Sequence, residues 1–312
     1  MLKRVKAFAP ATVANVSCGF DIFGLALEHP GDEIVLNLKD EPGIRINRIY
    51  GDNGKLPKEA DKNTAGIAIM SFMKYLQLEL GLEMELHKGL PLSSGLGSSA
   101  ASAVAALKGL NFLLNEPLSN KELIPFALDA EQAISGTGHA DNVAPSLLGG
   151  FVIVRSYDPL DVVKLNVLDD LYCVVIHPDI EIMTKIARDI LPTQVNLKDA
   201  VRQWGNIAGV VAGLLNNDYD LLSRSMNDII VEPVRAELIP YFYEVKKSAL
   251  SVGALGCSIS GSGPSIFALC KTRTVAEIVG KKMKEIYEER NIKNQLYISG
   301  INNKGAIAEQ IE

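Results

Sequence analysis

The stretch Pro91-Leu-Ser-Ser-Gly-Leu-Gly-Ser-Ser-Ala-Ala101 constrains this chain more than any other. Two glycines flank a single leucine, hydroxyl residues surround them, and the apolar run that follows predicts a helix from about Ser98 to Leu114. Glycine lets the backbone turn with its N–H groups facing inward. A helix start adds unpaired N–H donors and the positive end of a dipole. Together they form an anion site suited to phosphate. A Walker A loop is excluded, because G-x-x-x-x-G-K-[ST] needs a lysine and none stands here. Gly95-x-Gly97-x-x-Ala100 formally fits the dinucleotide fingerprint. Yet Pro91, Ser93 and Ser94 separate the loop from its strand. Asn115 and Glu116 close a helix where that fingerprint needs a second strand ending in an acid. The bland alternative is a small-residue helix packed closely on a sheet.

At 312 residues the chain is too long for one ordinary core and comfortable for two domains. A net charge of −6, with no basic stripe, argues against nucleic acid as a partner. Cys18, Cys173, Cys257 and Cys270 form no C-x-x-C pair, so reduced thiols and a cytoplasmic location are expected. Lys3, Arg4 and Lys6 open the chain in the manner of a signal peptide, but Pro10, Thr12, Asn15, Ser17 and Asp21 break any apolar core behind them. No run approaches eighteen apolar residues, so no membrane span is expected.

Strand-like segments open the chain, at Glu33 to Leu38, around Ile44, Ile46 and Ile49, and at Met84 to His87. Asn63 reads as a helix cap, and Ser119 with Glu122 has capping-box spacing for a helix to about Ile134. Ser135 to Pro145 reads as turns, followed by a strand from Phe151 to Val154. The polar stretch Ser156 to Asp170 is the expected boundary, giving domains 1–160 and 161–312. Beyond it come strands at Tyr172–Ile176, Ile266–Leu269 and Leu296–Ser299, and helices carrying Val201 to Leu215 and Val275 to Ile286. The pattern is α+β, two open sheets each covered by helices on one face.

The glycine-serine string is similar to the phosphate-binding motif of the GHMP kinases, P-x-x-x-G-L-G-S-S-A. Ala9-Pro-Ala-Thr-Val-Ala-Asn-Val-Ser-Cys-Gly-Phe-Asp21 resembles the family's first signature, and Gly256-Cys-Ser-Ile-Ser-Gly-Ser-Gly-Pro-Ser265 its last. All three stand in the family's order, and the resemblance spans the chain. It implies a first domain like ribosomal protein S5 domain 2, a ferredoxin-like second domain, and a nucleotide between them. ATP is expected at Pro91, Leu92, Ser93, Ser94, Gly95, Leu96, Gly97, Ser98, Ser99, Ala100 and Ala101, with Asn63 and Lys88 to Leu92 toward adenine and ribose. Ser98 and Glu131 are expected to hold magnesium.

Three further segments are similar to those of the homoserine-phosphorylating branch, on the route to threonine: Gly138-His-Ala-Asp-Asn-Val-Ala-Pro145, Thr184-Lys-Ile-Ala-Arg-Asp-Ile-Leu-Pro192, and Asp228 to Pro240 with Glu232-Pro-Val-Arg235. The chemistry suits an amino-acid alcohol. Arg188 and Arg235 can grip a carboxylate in bidentate, charge-assisted pairs. The resemblance implies that Asn15, Asp21 and Asn142 line the amino-acid pocket with His139 beside it, and puts Thr184 near the transferring phosphate. Other family members pair a catalytic aspartate with a lysine. Here Ala11 and Thr12 stand where that lysine would be. Asn142 can orient a hydroxyl but cannot act as its base, which leaves Asp21 and Asp141 as candidate proton acceptors. A mevalonate- or sugar-directed member and a non-catalytic ligand sensor are the rival readings. The resemblance also allows a homodimer.

Overall fold

The computed structural model describes residues 3–165, 167 and 170–312. Seven strands make the first sheet: β1 (Arg4–Ala14), β2 (Phe23–Lys39), β3 (Gly43–Tyr50), β4 (Gly81–His87), β5 (Phe151–Tyr157), β6 (Leu160–Leu165) and, from the far end of the sequence, β11 (Ile307–Gln310). Their order is β11-β1-β2-β4-β3, with β5 pairing the start of β2 and β6 pairing β5. The second sheet holds β7 (Tyr172–Pro178), β8 (Gly256–Ile259), β9 (Ile266–Cys270) and β10 (Asn294–Gly300), in the order β10-β7-β9-β8, all antiparallel. Helices intervene before β8 and before β10. This is the βαββαβ arrangement of a ferredoxin-like domain.

The helices are α1 (Thr64–Leu76), α2 (Ser98–Leu113), α3 (Asn120–Ser135), α4 (Ala140–Leu148), α5 (Thr184–Asp189), α6 (Leu197–Asn216), α7 (Tyr219–Ser225), α8 (Glu232–Arg235), α9 (Phe242–Ser251) and α10 (Arg273–Glu288). Their starts follow local chemistry. Asn63 Oδ1 accepts the Ala65 N–H at 3.1 Å and starts α1. Ser119 and Glu122 close their capping box on α3, the Glu122 carboxylate accepting the Ser119 N–H at 2.8 Å. Helix α2 lies at the centre, against β1, β2, α1, α3 and α4. Thirteen of its sixteen residues are buried, and its five alanines let it approach the sheet closely.

Two local expectations change. The segment read as turns up to Pro145 contains helix α4. Gly136, Gly138 and Pro145 signal turns, but Ala140, Val143, Ala144 and Leu147 are fully buried, and that packing wins. Pro145 supplies no N–H to the Asp141 carbonyl, which instead rests against Gly24, where a Cβ would come within 1.9 Å. The polar stretch 156–170 holds strand β6, whose side chains other than Val162 are half-buried or exposed at the sheet edge. Residues 166, 168 and 169 of that stretch lie outside the described residues. β6 begins at Leu160 and β11 at Ile307, yet both hydrogen-bond into the first sheet. No helix among the described residues is long and apolar enough to cross a membrane.

Candidate active site

The three signature segments meet at one place. Where the register of β1 against β2 breaks, between Pro10 and Thr12, the Thr12 N–H donates to the Leu96 carbonyl at 3.1 Å. From the far segment, Ser260 Oγ donates to the Gly95 carbonyl at 2.7 Å and the Gly261 N–H to the Ala14 carbonyl at 3.2 Å. Asn15 Nδ2 donates to the Gly261 carbonyl at 2.8 Å. Gly97 takes φ 67° as the N-cap of α2, with no side chain capping the helix. The first-turn N–H groups are left for an anion.

Beside this loop lies a cavity of about 210 Å³. It gathers Asn15, Asp21, Ser98, Glu131, His139 and Asp141, together with Asn142, Thr184, Arg188 and Arg235. The segment entering it is strained: Asn15, Val16, Ser17 and Asp21 all have positive φ, at 69°, 36°, 67° and 60°. A β-branched residue there is an outlier, of the kind that collects at functional sites. Asn15 holds the turn closed, its Oδ1 accepting the Asp21 N–H at 3.0 Å.

Two guanidinium groups face this segment. Arg188 donates twice to Asp21, at 3.0 and 2.9 Å, while its own Nε is buried without a partner. Arg235, 3% exposed, donates to the carbonyls of Ala187 and Gly261, each at 2.9 Å. Burial, with Arg188 close by, pulls the Arg235 guanidinium down to about 10. Both arginines stack on the Phe20 ring, at 5.4 and 5.0 Å from its centroid. The rest of the Asp228-to-Pro240 motif supports Arg235. Asp228 accepts the N–H groups of Ile230, Val231 and Glu232, each at 3.0 Å, and so fixes the start of α8.

The turn from α3 into α4 supplies the other wall. Glu131 Oε2 accepts the His139 N–H at 3.1 Å and faces His139 Nδ1 at 3.2 Å. Burial lowers the pKa of this imidazole, but the hydrogen bond and charge of Glu131 carry the net shift upward. Asp141 is 2% exposed and its Oδ1 has no partner. Burial, with the Asp21 carboxylate nearby, pushes its carboxyl up to about 7.

A larger cleft, about 1040 Å³, lies against Pro91 and Leu92 between the two sheets' domains. It is bounded by Gly51 to Lys55 on one side and by His177 and Ile292 on the other. Of the loop, Ser93, Ser94, Gly95, Gly97, Ser98 and Ser99 line the smaller cavity, whereas the Leu96, Ala100 and Ala101 side chains are in the core. Asn63 lines neither space. It is 4% exposed, its Oδ1 caps α1 and its Nδ2 donates to the Pro57 carbonyl. Lys88 is turned inward: it ion-pairs with Asp32 and donates to the Ser98 carbonyl at 2.8 Å. Sequence reasoning missed Phe20, the Thr12–Asn142 bond and the pairing of Lys88 with Asp32, having set Lys88 toward the nucleotide. Phe20 sits inside a quoted motif, which was its only signal.

The models of the GHMP kinases N terminal domain and the GHMP kinases C terminal domain match residues 63–150 and 210–289, more than half of the chain together. With the sheets described above, this defines the class, a two-domain GHMP kinase. A homoserine kinase of Chlorobium phaeobacteroides is 46% identical over 98% of this chain and 99% of its own. The crystal structure of homoserine kinase from Cytophaga hutchinsonii superimposes with a TM-score of 0.97 at 55% identity, covering 99% of this chain and 98% of that one. The chain belongs to the homoserine kinase family. L. major mevalonate kinase, at 17% identity and a TM-score of 0.75 over 95% of this chain and 96% of its own, shares the fold.

Proposed function

We propose that the chain transfers the γ-phosphoryl group of ATP to the hydroxyl of L-homoserine, giving O-phospho-L-homoserine on the route to threonine. One observation carries this reading. The small cavity places a carboxylate, Asp21, beside two guanidinium groups, Arg188 and Arg235, next to a glycine loop at a helix start. An α-amino acid carries the complementary charges, and its side-chain hydroxyl then points toward the loop. The larger cleft has room for the nucleoside. The loop and the α2 N-terminus hold the phosphates.

Ser98 and Glu131 both face the small cavity and offer a hydroxyl and a carboxylate, the hard oxygen donors that magnesium takes. Phosphate oxygens and water would complete its six positions, which suits an ion that arrives with ATP. Held by Ser98 and Glu131, magnesium would supply positive charge against the phosphates of the nucleotide. His139 is held by Glu131 and borders the amino acid. Thr184, 3.4 Å from Ser262 Oγ, borders the transferring group. Asn142 orients the hydroxyl, and Asp141, with Asp21 as the second candidate, receives its proton. We divide the domains at 160/161, with β6 and β11 returning to the first.

The test is ATP consumption with magnesium, comparing L-homoserine with mevalonate, galactose, L-serine and no acceptor. Turnover confined to homoserine and lost in Arg235→Ala supports the assignment. Turnover with another acceptor removes Arg188, Arg235 and His139 from the reading. Nucleotide binding without turnover would favour a sensor.

A further inference from the structure

Thr12 has no part in the chemistry described so far. It is 1% exposed, and its two polar contacts join elements that are far apart in sequence. Its N–H donates to the Leu96 carbonyl inside the glycine loop at 3.1 Å. Its hydroxyl donates to Asn142 Oδ1, at the start of α4, at 2.8 Å. Gly97 lies over this bond so closely that a Cβ there would come within 2.2 Å of Thr12 Oγ1 and 2.8 Å of Asn142 Oδ1.

A primary amide has one accepting end and one donating end. With Oδ1 turned to the buried hydroxyl and covered by the loop, Asn142 turns Nδ2 to the cavity it lines. We infer that Thr12 is a positioning residue: it locks the Asn142 amide with its NH2 edge toward the reacting oxygens and ties that amide to the phosphate loop. The inference rests on the reading of Asn142 as a neighbour of the acceptor hydroxyl. The exposed edge decides what Asn142 can do. An N–H donor can hold a hydroxyl lone pair or stabilise charge growing on a phosphoryl oxygen. It cannot accept the hydroxyl proton. Because one residue touches both the loop and the amide, the acceptor is aligned only when the phosphate loop is in place.

Steady-state kinetics of three variants, with melting temperatures on the same samples, test this. Thr12→Val keeps the shape and removes the hydroxyl. Its kcat should fall roughly 10- to 100-fold, the effect of a small misplacement, with both KM values within about threefold of native. The melting temperature should not account for that loss. Thr12→Ser should recover most of kcat, because it restores the donor. Asn142→Asp, which replaces the NH2 edge with a carboxylate oxygen, should be at least as slow as Thr12→Val. Native kcat in Thr12→Val would overturn the inference. So would Thr12→Ser as slow as Thr12→Val, or Asn142→Asp as fast as the native protein. If Thr12→Val does not fold, the other two variants decide: a slow Thr12→Ser or a fast Asn142→Asp overturns it. A native protein that prefers another acceptor would overturn the functional reading instead, and the three variants are then measured with that acceptor.

Discussion

Arg188 and Asp21 grip each other at two points, Nη1 to Oδ2 at 3.0 Å and Nη2 to Oδ1 at 2.9 Å. The two charges proposed to receive the carboxylate and the ammonium of the substrate are satisfied by one another. A zwitterion entering the cavity exchanges this one ion pair for two, so neither Arg188 nor Asp21 stands without a counter-charge while the site waits. Arg188→Ala should raise the KM for homoserine about 10- to 100-fold, the worth of a hydrogen bond to a charged group, and leave the KM for ATP near native. Initial rates with each substrate varied in turn measure both.

Asp141 sets the pH dependence. Its folded value of about 7 lies above the ordinary 3.8, so the native state keeps a proton that the unfolded chain has lost between those pH values. This group's contribution to stability therefore declines as pH rises from about 4 to about 7. Asp141→Asn removes the decline, and its chemical-denaturation midpoint should exceed that of the native protein above pH 7. If Asp141 receives the hydroxyl proton, native kcat rises with pH through about 7, while that of Asp141→Asn is low and flat. A native profile without that rise removes Asp141 from the chemistry.

The Lys88–Asp32 pair sits under the start of α2, its side chains 1% and 0% exposed. Lys88 also donates to Ser102 Oγ at 2.8 Å, and Asp32 Oδ1 accepts the Gly89 N–H at 3.1 Å. Lys88→Met strands a buried carboxylate and should cost about 3–5 kcal/mol in urea unfolding. Adding Asp32→Leu should return part of that loss. A single variant as stable as the native protein would show that water reaches the pair.

Glu131 should matter for the metal more than for the fold. Glu131→Gln keeps a hydrogen-bonding group toward His139 but removes a charge. The magnesium concentration giving half-maximal rate should rise severalfold, with the melting temperature changed little. Titrating the rate against magnesium at fixed ATP measures it.

All four cysteines are free and buried. Burial pushes the Cys18 and Cys270 thiols up to about 12 and raises Cys173 and Cys257 as well. Thiolate is the reactive form. An aromatic disulfide reagent should find almost no thiol in the native protein at pH 8 and four after denaturation. Prompt reaction of one thiol would show a local opening around it.

Much of this was legible in sequence because its causes are local. The caps at Asn63 and Ser119 act through residues two or three positions away. The glycine loop carries its phosphate chemistry in its backbone. What sequence did not show depends on partners distant along the chain. Helix α4 forms despite Pro145 because its apolar side is buried against the rest of the first domain. Asn63 was expected toward the nucleotide, and its amide also caps α1 and bonds the Pro57 carbonyl, a second task that only the folded chain shows. Phe20 becomes a shelf for two arginines only once α5 and α8 are folded beside it. Lys88 could be read as reaching for a ligand until its partner, Asp32, was in view across the sheet.

Strand β11 pairs Val5 with Gln310 and Phe8 with Ile307. The edge of the first sheet is thus closed by residues made after the whole second sheet. On the ribosome, β1 waits with one edge open while some three hundred residues are added, on the order of tens of seconds at ordinary elongation rates. An open strand edge is a template for pairing with another chain. For that interval the nascent protein is exposed to the wrong neighbour, and the exposure of β1 ends when β11 pairs with it.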